Sequence, residues 1–189
     1  ENPHKGETGP QLNRHCYRIA CQTCHVPSIA RYANAPAVTD IDWTTPIKNG
    51  KSGLFEPAIK QSRRLKPEYL WWNRTMRSAW DPVGSKRDRQ ARIYPWQRIN
   101  CTIIADAATG MPLPLKTAVY ALTGDPGAAA AKGAAEAKQP YSGKWKAKQQ
   151  TMLVSVNHQV APKAEALKCD DCHDANGRID FKALGYGRQ

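Results

Sequence analysis

Two pentapeptides carry the same set of reactive side chains. Cys21, Cys24 and His25 fall in CQTCH, and Cys169, Cys172 and His173 fall in CDDCH. Two thiols at this spacing can add across the two vinyl groups on one edge of a porphyrin. The adjacent His is then held beneath the iron as its proximal ligand. A four-cysteine zinc site is the rival chemistry, but zinc knuckles need no His directly after each pair. A thioredoxin-type redox pair expects a βαβ context that the sequence lacks. The spacing therefore predicts two covalently attached haem c groups. Cys21, Cys24, Cys169 and Cys172 would form the thioethers, and His25 and His173 would be the proximal iron ligands. Such bonds are normally made outside the bacterial cytoplasm, so the expected location is periplasmic or extracellular.

Three histidines lie outside the motifs: His4, His15 and His158. His15 is only six residues before Cys21, too few to carry it round to the far face of the same haem. The reading sends it to the other haem. His158 is eleven residues before Cys169, and the same reasoning sends it to the first. This crossed arrangement, with His15 and His158 as distal ligands, would tie both ends of the chain into one core. An uncrossed arrangement and ligation by His4, close to a terminus, are the alternatives. Met111, in a Met-Pro setting, is a further candidate; Met ligation would raise the potential and bis-His ligation would lower it. In an oxidising compartment Cys16 and Cys101 are expected to pair. That disulfide would be worth roughly 4 kcal/mol in the chain-entropy model. A thiolate ligand or sulfur-binding role for Cys16, or two inert thiols, are the other readings.

The elements that must hold these groups are short. The chain has 189 residues, of which 41% are hydrophobic, with 13 glycines and 14 prolines. That is one domain's length with few long apolar runs, so a bound group is expected to fill part of the interior. The fold class read from this is mainly α, with extensive irregular loops and few short strands. It would be a multihaem cytochrome type, residues 1–189 forming a single dihaem domain. PKAEALKCDDCH reads as the best helix, opened by proline and rich in helix formers. GAAAAKGAAEAKQP reads as an Ala-rich surface helix, and TAVYALTG as a short helix or strand ended by Gly124. PEYLWWNRTMRSAW is a helix or, given its aromatic run, a strand. Trp71, Trp72 and Trp80 in it are candidates for packing on porphyrin. RIYPWQRINCTIIAD reads as two short strands and VTDIDW as one.

The formal net charge is +12. No zinc-finger or RNA-recognition signature accompanies the scattered basic residues, which argues against nucleic acid. An acidic redox protein, or a multihaem complex, is the expected partner. No apolar stretch reaches 18 residues, so no membrane span is expected. The polar opening ENPHKGETGP reads as a processed, exported product.

Longer segments resemble a known family. IACQTCHVPSIAR, and NHQVAPKAEALKCDDCH followed by GRIDFKALGY, look like the C-terminal part of octahaem tetrathionate reductases and related octahaem cytochromes c. The WWN and YPW segments fit the same comparison. The resemblance implies that His158 is a distal haem ligand, and His15 another. The departures are specific. There are two haem motifs rather than eight, and no Cys-x-x-Cys-Lys, the motif of the family's Lys-ligated catalytic haem. What the resemblance carries over is electron conduction: a dihaem carrier between redox partners. The alternatives are an enzyme acting on small sulfur or nitrogen oxyanions, which needs an open iron, and a subunit of a larger multihaem assembly.

Overall fold

Segments rich in aromatic and β-branched residues form the extended framework. The computed structural model describes residues 2–32, 34–78 and 80–187. Along it run α1 (Gly9–His15), α2 (Cys21–His25), β1 (Ala37–Lys48), β2 (Phe55–Ser62), β3 (Glu68–Trp72), β4 (Met76–Ser78) and β5 (Asp81–Pro82). Then follow β6 (Arg92–Asp106), α3 (Thr117–Thr123), α4 (Pro126–Glu136), β7 (Trp145–Ser155), a 3-10 turn at Lys163–Glu165 and α5 (Cys169–His173). Strand accounts for 33% of the chain and helix for 21%, in a mixed sheet, which overturns the expected mainly α class. RIYPWQRINCTIIAD is one 15-residue strand rather than two. YLWW takes the extended form that bulky aromatic side chains favour.

The chain divides into two compact units. The first comprises Glu1–Ala37, Ser62–Arg98 and Leu153–Gln189; the second comprises Val38–Gln61 and Ile99–Met152. Strand β6 serves them in turn. In the first unit its opening half runs antiparallel to β3, with Trp71 opposite Ile93 and Glu68 opposite Trp96. In the second its closing half runs parallel to β1, with Ile41 opposite Cys101. Strand β2 lies on the other side of β1, and β7 also pairs with β6.

The first unit has two apolar cores. One gathers Tyr69, Trp71, Ala91, Ile93, Cys172, Ile179 and Leu184, so a cysteine of the second motif is itself core. The Trp71 indole N–H donates to Leu184 O at 2.9 Å, which satisfies a polar atom that burial would otherwise penalise. The other core is Val26, Ile29, Ala30 and Val156, directly after the first motif.

The second unit is built on its own hydrogen bonds. Helix α4 starts at Pro126, and the Asp125 carboxylate accepts from Gly127 N at 2.8 Å and Ala128 N at 3.0 Å. Its small residues Ala130 and Ala134 pack on Ile104 and Leu113. Helix α3 ends at Gly124, in the left-handed conformation that glycine adopts without a Cβ clash. Asp106, at the end of β6, is buried. Its carboxylate accepts from Ser142 N at 2.7 Å, Thr109 N at 2.8 Å and Ala108 N at 3.1 Å. These bonds, Ser142's first, hold the carboxyl well below the usual carboxylate range.

Candidate metal centre

Each Cys-x-x-Cys-His segment is a five-residue helix, α2 and α5. Residues three apart on a helix share a face, so each pair of thiols is presented side by side, with the His beginning the next turn. Neither helix is long enough to be stable alone, and both are pinned from outside. In α2, Thr23 is fully buried and its hydroxyl donates to Ile93 O at 2.8 Å. Cys24 O accepts from Leu167 N at 3.0 Å, and His25 O accepts from Ala161 N at 2.6 Å. The Arg178 guanidinium donates to Pro27 O. In α5, Lys168 N donates to the Asp171 carboxylate at 2.7 Å, and Asp171 O accepts from Arg178 N at 2.7 Å. Gly177 lies so close that a Cβ there would sit 2.3 Å from Cys172 O. Only glycine lets the chain return across the motif.

The two helices are neighbours. Leu167, two residues before Cys169, bonds to the backbone of Cys24. Burial pushes the Cys24 thiol up to about 11, with Cys172, Cys16, Cys21 and Cys169 adding to the rise. Four other sulfurs thus lie within electrostatic reach of Cys24.

Histidine rings meet in two pairs. His15 and His173 have ring centres 6.1 Å apart and planes inclined by 28°. His4 and His25 have ring centres 6.5 Å apart and planes inclined by 19°. The Phe181 ring stacks on His173 at 5.6 Å. Burial, followed by His173 and His4, lowers the His15 pKa and so favours the neutral, metal-binding form. One histidine of each pair, His4 and His173, borders a cavity. One of about 490 Å³ is lined by His4, Lys5, Asn13 and Arg14. The other, of about 540 Å³, is lined by His173, Lys66, Arg178 and Lys182.

The distribution of the expected ligands is therefore plain. His15 faces the motif at the far end of the sequence. His4 faces His25. His158 is exposed, and no ring contact joins it to another described residue. Chain length allows this for His4: seventeen residues to Cys21 suffice to round a porphyrin, as six do not. Met111 is 57% exposed in the second unit, where its carbonyl accepts from Asp106 N. Cys16 and Cys101 are both free thiols, so the expected disulfide is not formed. They belong to different units: Cys16 follows α1, with its Sγ 3.5 Å from Leu12 O, and Cys101 is buried in β6. Of the three tryptophans, Trp71 packs with Cys172. Trp72 meets Tyr94 and Trp96 edge-on, and Trp80 is exposed.

A family model of bacterial cytochrome c matches residues 78–176, slightly over half of the chain. The chain belongs to the bacterial cytochrome c family. The matched region contains CDDCH and begins beyond CQTCH. Among solved structures this cytochrome is similar to the octahaem cytochrome c of Shewanella oneidensis, at 28% identity and a TM-score of 0.80. The match covers 100% of this chain and 51% of that one, so the chain spans about half the length of that protein. No curated protein matches the sequence.

Membership of this family implies covalent haem c. The residues present fit it. Each helix offers two thiols on one face and an imidazole beside them. Two imidazoles bound to one metal, each through a bond of about 2 Å, hold their ring centres roughly 6 Å apart. Both ring pairs have that spacing. Lys5 and Arg14 in one cavity, and Lys66, Arg178 and Lys182 in the other, complement the carboxylates of a porphyrin. Among the described residues, no helix is long and apolar enough to cross a membrane.

Proposed function

We propose that this cytochrome is a dihaem electron-transfer protein with both metals closed to substrate. Cys21 and Cys24 hold one haem c, with His25 as proximal and His4 as distal ligand. Cys169 and Cys172 hold the other, with His173 proximal and His15 distal. The bound groups supply one-electron chemistry. The polypeptide attaches them, caps both faces of each with imidazole, and keeps them close through the Leu167–Cys24 backbone bond. The observation that carries this reading is the pair of near-parallel imidazole couples, each joining a motif His to a His from the N-terminal segment. With an imidazole on each face, neither site offers the open position that oxyanion chemistry needs. The net charge of +12 supports docking to an acidic redox protein in the periplasm or outside the cell.

A pyridine haemochrome assay tests the count, with two haems per chain expected. The reduced spectrum should be low-spin and unchanged by carbon monoxide. One haem per chain, or a large carbon monoxide shift in the wild type, would overturn the reading.

One observation favours a second, overlapping role within a larger multihaem assembly. The segment bearing His158 is tied down on both sides. The Tyr94 hydroxyl donates to Asn157 at 2.5 Å, Arg31 bonds Gln159, and Ala161 bonds His25. An exposed imidazole held this firmly can ligate a metal carried by polypeptide outside these 189 residues. His158→Ala should leave the spectrum of this chain unchanged and weaken its association with such a segment.

A further inference from the structure

His4 lies near the start of the sequence, outside any helix or strand, yet it faces His25 in the structure. Its place is set by one side chain. Asn13, on α1, makes three contacts with this residue. Asn13 Nδ2 donates to His4 O at 3.0 Å. Asn13 Oδ1 accepts from His4 N at 3.0 Å. The same Oδ1 lies 3.2 Å from His4 Nδ1.

The first two contacts fix the orientation of the amide. Reversing it would face its NH₂ with a backbone N–H and its oxygen with a carbonyl, and would lose both bonds. With Oδ1 so placed, the third contact has one consistent reading. An amide oxygen only accepts, so Nδ1 of His4 carries the hydrogen. The ring's other nitrogen, Nε2, is then left with its lone pair free to bind a metal. A ligating His normally has its second ring nitrogen held in this way.

We propose that Asn13 is the positioning residue of the first metal site: it selects the His4 tautomer that can ligate and holds the ring against His25. The inference rests on the reading of His4 as the distal ligand opposite His25. The second site is built differently. His15 sits in the last turn of α1, its carbonyl bonded by Ile19 N and Arg18 N, and the helix itself aims its ring. Asn13 therefore acts on one site of the two.

The test uses the haem-loaded full chain. Carbon monoxide binding to the reduced protein is followed optically, and the two midpoint potentials by spectroelectrochemistry. His4→Ala serves as the reference for an opened first site. Asn13→Ala is expected to bind carbon monoxide at one site per chain, a partial or full copy of His4→Ala. Asn13→Asp retains an acceptor for Nδ1–H. It should restore the closed, low-spin spectrum and lower one of the two midpoint potentials, because an anionic acceptor increases electron donation by the ring. If Asn13→Ala loses its fold, Asn13→Asp alone decides, through the shift of one potential. A variant series that loses thermal stability while staying closed to carbon monoxide, with both potentials unmoved, would overturn the proposal and leave His4 ligation standing. A wild type that binds carbon monoxide as readily as His4→Ala would instead overturn the ligation reading itself.

Discussion

In the first unit the helices are seven, five and five residues long, and all three end in a histidine of one of the two ring pairs. In the second, α4 runs eleven residues from an aspartate cap, and a buried carboxylate gathers the turn at the end of β6. The four motif cysteines and all five histidines lie in the first unit. The contrast shows two ways of ordering a chain. One unit satisfies its own backbone and packs alanine against leucine and isoleucine. The other presents short helical turns whose stability must come from what they bind and from distant strands that pin them.

That contrast can be broken experimentally, and the largest effect should come from the cofactor. On the proposed dihaem reading, replacing Cys169 and Cys172 with alanine should remove one of the two haems. Amides of residues 153–187 should lose hydrogen-exchange protection while those of 99–152 keep theirs. Equal loss in both units would end the comparison. Trp71→Ala comes next. It empties the centre of the first core and orphans Leu184 O, at a cost of about 3–5 kcal/mol. Chemical denaturation followed by haem absorbance measures it.

Asp106 gives the corresponding strike at the second unit. Its carboxyl is depressed in the folded chain, so its stabilisation is full above the ordinary carboxylate pKa and is lost as pH falls through the folded value. Asp106→Asn should lower the melting temperature at neutral pH and leave the haem spectrum unchanged. The deficit should shrink on strong acidification. The smallest effect is Asp125→Ala, which removes two capping bonds of α4 and should cost about 1 kcal/mol with no change in the haem spectrum.

How much of this could be read in the sequence follows the same divide. The motif helices, α4 with Pro126 before it, and the stop of α3 at Gly124 are local, and local spacing announces them. The sheet is not local. β6 looked like two strands because its polar Gln97, Arg98 and Asn100 interrupt the apolar pattern, yet pairing carries it through both units. Local signals announce helices and not long-range strand pairing, so the mainly α class they predict is overturned by the strands. The helix expected across PKAEALKCDDCH is broken at Ala166, because Leu167 N turns away to reach Cys24 O. A tertiary bond there outweighs good helix propensity. The place of His4 is illegible for a related reason: its clamp on Asn13 is a contact across nine residues that no periodicity reveals.

The backbone bonds from Ala161 and Leu167 to His25 and Cys24 also have a consequence in time. Their partners are separated by about 140 residues of sequence, so they close late as a chain folds. Until the C-terminal stretch arrives, CQTCH is braced only on its Thr23 side, by Ile93 O, and its His25 end remains pliant. A pliant segment is what a modifying enzyme requires in order to grip two thiols and join them to a porphyrin. The bonds that later pin the first motif thus leave an interval in which it can still be worked on, and the segment just before CDDCH ends it.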